Sequence, residues 1–261
     1  MSPPTKLGFV LLGLSGVFPS VNAQLQGFNY GATFEDGSCR LGSDYAGAFS
    51  SARNLAGTNG GFISARLYTT IQCGTSNAPI SAIQAAIDTD TSLLLGLWAS
   101  GGDAIFDNEI AALSSAVAQY GSGFTDRIIG ISVGSEDLYR SSPQGIANEA
   151  GVGVESATIV RYIQRVRQLV DQTPLLAGKP IGHVDTWTAW VLPENAPVAS
   201  AVDWLGHNSF PYFEDTLPNS IHEAEIVFFN ALGATEGVSG GKEVWVTETG
   251  WPHCELPLHM G

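Results

Sequence analysis

Seven short apolar segments alternate with helical stretches along this chain, and that alternation limits its fold more than any other feature. The segments are "QGFNYGATF" (26–34), "GFISARLYTT" (61–70), "SLLLGLWAS" (92–100), "RIIGISVGSE" (127–136), "KPIGHVDTW" (179–187), "AVDWLGHNSF" (201–210) and "KEVWVTET" (242–249). "SLLLGLWAS" is almost continuously apolar, as a parallel strand buried on both faces requires. Between the strands, residues 107–121 put Ile110, Leu113, Val117 and Tyr120 on one helical stripe and stop at Gly121. Residues 154–170 do the same with Ile159, Ile163, Val166 and Val170, and helical patterns also cover 79–88 and 219–232. This βαβα order, with no linker or low-complexity block, predicts a parallel α/β sheet covered by helices.

Nucleotide folds of that class carry a glycine signature after the first strand, and none is present here. "GTNGG" (57–61) precedes a strand instead of opening a helix, and there is no P-loop. A (β/α)8 TIM barrel is therefore favoured over a doubly wound sheet. A barrel needs eight strands, yet only eleven residues follow Gly250 and they contain no β-rich run. Either an earlier strand is hidden or the chain stops before its last βα unit. The second reading also accounts for an odd cysteine, so the expected fold is a barrel truncated after strand 7.

Two glutamates stand at strand ends: Glu136 closes "GISVGSE" and Glu248 closes "VWVTE". A strand-end carboxylate is as common on an ordinary rim as in a catalytic cleft, so neither is informative alone. In a barrel, however, all strand C-termini open on one face, and strands 4 and 7 face each other across it. Two carboxyl groups there suit glycosidic bond cleavage, one protonating the departing oxygen and the other attacking or stabilising an oxocarbenium-like centre. Each negative charge disfavours the other, which leaves one group protonated. Asp137 is a rival acid, but neighbouring strand residues point to opposite faces.

Tyr30, Tyr68, Trp98, Trp187, Trp190, Tyr212, Phe213 and Trp251 lie at or just beyond strand ends. They offer flat faces for sugar rings, with Asn29, Arg66 and Asn208 as polar neighbours; the competing reading is that they cap the core. The net charge of −14, with only 11 Lys and Arg residues, argues against nucleic acid and anionic membranes as partners. The five histidines and three cysteines show no metal-ligand spacing, so no metal or other cofactor is expected.

Residues 1–23 read as a secretory leader: Lys6, the apolar run "LGFVLLGLSGVF", then "VNA" before a mature start at Gln24. No run is long enough to span a bilayer. Export favours disulfides, and Cys39 with Cys73 is the expected pair, leaving Cys254 unpaired.

"GFNYG", "SARLYT", "GISVGSEDLY", "HNSFPYF" and especially "VWVTETGWP" resemble glycoside hydrolase family 17, the β-1,3-glucanases, and in particular the fungal cell-wall glucan endo-1,3-β-glucosidase type. The likeness runs from Gln26 to Pro252. It implies a retaining (β/α)8 enzyme acting on β-1,3-glucan, with Glu136 as acid/base and Glu248 as nucleophile at a separation of about 5 to 5.5 Å. It also implies substrate contacts from Tyr30, Arg66, Tyr68, Ser135, Asn208, Tyr212 and Trp251, and a secreted, wall-located protein that is a monomer if its barrel closes. The residue before the acid/base is usually Asn in the wider clan, where it bonds the sugar near its 2-hydroxyl; here it is Ser135. Family members continue into an eighth strand, and a lipid anchor belongs only to a longer product. Residues 24–261 are accordingly expected to form an incomplete catalytic domain with open strand edges and weak activity. Glucanosyl transfer and non-catalytic glucan binding remain as alternatives to hydrolysis.

Overall fold

The computed structural model of this chain describes residues 25–214, 216–218 and 220–252. Residues 1–23, expected from the sequence to be a leader, and Cys254 lie outside the described residues. Seven strands form one sheet in sequence order: β1 (Gln26–Tyr30), β2 (Phe62–Leu67), β3 (Ser92–Leu97), β4 (Ile128–Ser135), β5 (Ile181–Thr186), β6 (Trp204–Asn208) and β7 (Glu243–Glu248). Every pairing is parallel. All seven fall inside the segments read from the sequence, each a little shorter.

The sheet curls, so that Asn29 of β1 donates through Nδ2 to the Thr247 carbonyl of β7 at 2.9 Å. Among the described residues no ladder joins these two strands, and no eighth strand lies between them. The order and the curl are those of a (β/α)8 barrel through its seventh strand.

The helices between strands are α1 (Gly42–Arg53), α2 (Ala82–Thr89), α3 (Asp103–Tyr120), α4 (Ser122–Thr125), α5 (Asp137–Ser141), α6 (Pro143–Ala147), α7 (Ser156–Gln172), α8 (Trp187–Trp190), α9 (Ala196–Ala201) and α10 (Ala224–Val238). In α7 the predicted stripe is buried in full: Ile159, Ile163, Val166 and Val170, with Tyr162 beside them. Its polar side meets α3, where Arg161 and Arg165 pair with Asp103 and Asp107. Phe106 stacks on Tyr162 with ring centres 3.9 Å apart. The rings contribute more than the exposed ion pairs, which typically contribute less than about 1 kcal/mol each. Helix α3 begins four residues before the predicted start, and α10 begins five residues later than predicted. Helix α1 was not predicted at all.

The apolar residues form two cores. The larger lies between the sheet and its helices, and the smaller fills the barrel interior with Leu94, Val184 and Trp204, flanked by Ile129 and Trp245. The Trp204 and Trp245 rings are stacked 4.1 Å apart. Trp204 lies so close to β5 that a Cβ on Gly182 would come within 2.3 Å of it, so only glycine fits there. A disulfide joins Cys39 to Cys73, with Cα atoms 5.4 Å apart, as expected from the sequence. It ties the loop after β1 to the loop after β2, on the side where the strands end.

Candidate active site

Both glutamates owe their placement to a bulge in the strand that carries them. Along β4 and β5 the register passes from Ser132↔Gly182 to Ser135↔Val184, so three steps on one strand oppose two on the other. Gly134 occupies this bulge at φ +80°, and a Cβ there would lie 2.2 Å from Asp137 Oδ2. Backbone and neighbour together require glycine. Glu136 follows, also left-handed at φ 58°, with its N–H donating to the Val184 carbonyl at 2.8 Å. A non-glycine residue holds that conformation only where its surroundings impose it.

The register between β6 and β7 passes from His207↔Val246 to Asn208↔Glu248, so Thr247 and Glu248 share one step. Both side chains then reach the inner side. Thr247 Oγ1 donates to Asn208 Oδ1 at 2.8 Å, and Glu248 Oε1 accepts an ion-paired hydrogen bond from Arg66 Nη1 and another from Tyr68 Oη at 3.0 Å.

Two residues link the strand ends that carry the glutamates. Arg66 holds Glu248 with one nitrogen and donates with Nη2 to Ser135 Oγ, 2.9 Å away, beside Glu136. Asn208, the strand partner of Glu248, donates through Nδ2 to Glu136 Oε1 at 3.0 Å. The Thr247 hydroxyl occupies Asn208 Oδ1, which turns the amide nitrogen towards Glu136. Arg140 completes the enclosure: Nη1 donates to the Ser135 carbonyl at 2.7 Å, Nη2 lies 3.5 Å from Glu136 Oε2, and the guanidinium stands over Trp98.

Electrostatics separates the two carboxyl groups. Burial pushes the Glu136 carboxyl above the ordinary carboxylate range, and the charges of Glu248 and Asp185 add to this against the Asn208 hydrogen bond and Arg140. Burial and the Glu248 carboxylate likewise raise the Tyr68 hydroxyl, which therefore remains a donor. One carboxyl group is thus biased towards holding its proton while the other faces a guanidinium. This pairing can protonate a departing oxygen on one side of a bond and supply an attacking oxygen on the other.

Of the residues selected from sequence, Arg66, Ser135 and Asn208 are 5, 6 and 1% exposed; both terminal nitrogens of Arg66, the Ser135 hydroxyl and the Asn208 amide are engaged within the site, while Arg66 Nε is buried without a hydrogen-bond partner. Tyr68 contacts Glu248 directly. Tyr30 packs edge-on against Phe49 of α1, since β1 turns Asn29 inwards and the next residue outwards. Tyr212 and Trp251 meet edge to face at 5.4 Å, next to the exposed Phe213. Trp187 donates to Glu214, whereas Trp190 is buried and donates to the Gly206 carbonyl, so it belongs to the packing of helices on the sheet. Asp137 is fully buried and accepts from Ser135 N and Ser100 Oγ.

Four residues at the site were not singled out from sequence: Thr247, Arg140, Asp185 and Glu109. Glu109 of α3 is 1% exposed and bonds Thr69 Oγ1, Thr70 N and Thr70 Oγ1, fixing the turn directly after Tyr68. A charged residue among the alanines of a helix covering the sheet was the available signal.

Residues 27–256 match the profile of the BtgE/BtgC glycoside hydrolase domain. A probable glucan endo-1,3-beta-glucosidase of Aspergillus fumigatus is 54% identical over 242 residues, which cover 93% of this chain and 53% of that protein. A glucan 1,3-beta-glucosidase of Schizosaccharomyces pombe is 30% identical, over 89% of this chain and 66% of that one. Among solved structures, the glycoside hydrolase family 17 beta-1,3-glucanosyltransferase of Rhizomucor miehei superposes with a TM-score of 0.66 at 25% identity, covering 88% of this chain and 72% of that chain. The chain spans about half the length of the Aspergillus relatives it matches.

Proposed function

This chain belongs to the family described by the BtgE/BtgC glycoside hydrolase domain, and on that premise we propose that it is a retaining, β-1,3-glucan-active member of glycoside hydrolase family 17. Glu248 attacks the anomeric carbon through the oxygen that Arg66 and Tyr68 leave unengaged. Glu136 protonates the leaving glucosyl oxygen and then, as a base, activates the water that releases the glycosyl-enzyme. The observation that carries this reading is the linkage of the two strand ends, by Arg66 from Glu248 to Ser135 beside Glu136 and by Asn208 to Glu136, together with the burial that favours the protonated Glu136 carboxyl.

A glucan hydroxyl in place of water gives transfer by the same intermediate. The likeness to a structure described as a glucanosyltransferase supports keeping this second outcome. Incubation of the full-length protein with linear β-1,3-oligosaccharides, followed by NMR and mass analysis, tests both. The first-formed product is expected to be the β-anomer, and products longer than the starting sugar identify transfer. First-formed α-anomer, or binding without any product, overturns the retaining-enzyme reading.

The same reading makes the protein an exported one that acts at the cell wall. N-terminal sequencing of secreted protein should then begin at Gln24. A cell-retained protein with an intact Met1 would rule this out.

A further inference from the structure

We infer that Asp185 is a positioning residue for Glu136: from β5 it caps the short helix α5 in the place that the Glu136 side chain would otherwise fill. The inference rests on the reading of Glu136 as the acid. Helix α5 has Glu136 at its N-cap, where a side-chain oxygen ordinarily accepts the N–H groups two and three residues on. The Glu136 carboxyl makes no such bond, being committed to Asn208 and Arg140.

Asp185, fully buried, accepts those two N–H groups instead: Leu138 N to Oδ2 at 2.9 Å and Tyr139 N to Oδ1 at 3.2 Å. It also accepts Thr186 N at 2.8 Å. The cap therefore comes from a neighbouring strand, and the acid is free to face the cleft while its left-handed backbone is pinned on both sides, by Val184 O and by the capped turn.

A buried carboxylate with this task needs a counter-charge, and His183 supplies one. Its Nε2 lies 3.0 Å from Asp185 Oδ2 and its Nδ1 lies 2.6 Å from the Val133 carbonyl. Both neighbours are acceptors, so both ring nitrogens donate and the ring is an imidazolium. The Asp185 and Asp137 charges raise its pKa in spite of its burial. The Val133 carbonyl that it holds opens the bulge leading to Glu136. The ionisable groups facing Glu136 are Glu248 of β7, Asp185 of β5 and Arg140 of α5, with the Asn208 amide from β6. Asp185 thus adds negative charge as well as geometry.

The test is Asp185→Asn in the full-length protein, whose amide can place an N–H against the N–H groups it should accept. Its kcat/KM on β-1,3-oligosaccharides should fall about 10- to 100-fold with KM little changed. Its kcat/KM on a β-glucoside with a dinitrophenolate leaving group, which needs no acid, should stay within about threefold of wild type. The alkaline limb of the profile should move to lower pH, because a negative neighbour of Glu136 is gone.

Equal losses on both substrates, or an unmoved limb, overturn the proposal. If Asp185→Asn does not fold, His183→Gln decides: it keeps the cap but loses the counter-charge, and the same selectivity with a smaller loss is expected, equal losses again overturning the proposal. Glu136→Gln run beside them separates the two claims. If it lacks the leaving-group dependence, the acid assignment fails; if it shows the dependence and the Asp185 and His183 variants do not, only the positioning role fails.

Discussion

Glu248→Gln is expected to lower kcat by about four orders of magnitude or more while leaving oligosaccharide affinity within a few-fold of wild type. The amide is isosteric and still offers an oxygen to Arg66 Nη1 and Tyr68 Oη, the two donors that fix Glu248 Oε1. The cleft should therefore keep its shape and lose only the oxygen proposed to attack the anomeric carbon. Glu248→Ala is the harsher change. It strips the carboxylate from a guanidinium that is 5% exposed and leaves Arg66 with the Ser135 hydroxyl and the face of Tyr68. Breaking a buried pair from one side costs about 3 to 5 kcal/mol, so the alanine variant should also melt at a lower temperature. Calorimetric binding of a β-1,3-oligosaccharide, measured beside turnover, checks both outcomes. Unchanged product formation by either variant removes Glu248 from the reaction.

What was legible in the sequence follows from which interactions are local. The inner strands could be read because a buried parallel strand is an apolar run, as "SLLLGLWAS" states in its own residues, whereas β1 and β7, more exposed at the two ends of the sheet, were legible from their β-forming residues and the turn signals after them. Helix α1 could not, because Gly42, Gly47 and three serines dilute a stripe that amounts to Tyr45, Phe49 and Ala52. Glu136 and Glu248 were visible as strand ends, but what aims them was not. A bulge is a mismatch between two strands, and neither "ISVGSE" nor "WVTE" contains its partner's register. Gly134 inside a strand pattern was the one local hint. Likewise His183 and Asp185 stood as charges in an otherwise apolar strand, a conflict that the fold resolves by pairing them beneath α5. Aromatic position was the poorest guide. Tyr30 and Trp190 sit at strand ends as Tyr68 does, yet strand alternation and a short helix send the first two into packing.

Glu136→Gln should change two properties in opposite directions. For activity, the first step of the proposed mechanism needs Glu136 protonated, and its raised pKa means that this form persists above the ordinary carboxylate range of about 4.3. Wild-type kcat/KM should then decline on the alkaline side as pH rises through that raised value. The glutamine variant, with no proton to give, should lose about 10²- to 10⁴-fold on oligosaccharides and show no such limb.

For stability the sign reverses. A carboxyl whose folded pKa lies above its unfolded one favours the folded state most when it is protonated, below the unfolded value. That contribution is lost as pH rises through the folded pKa, where burial and the Glu248 and Asp185 charges must be borne by an ion. A neutral amide of the same shape carries no such penalty, and Asn208 and Arg140 remain as neighbours. The variant should therefore melt above wild type at neutral pH, with the gap closing as pH falls below about 4. A melting temperature lower than wild type at neutral pH, or a gap that widens on acidification, would mean that Glu136 is held as a stabilised anion and cannot be the proton donor.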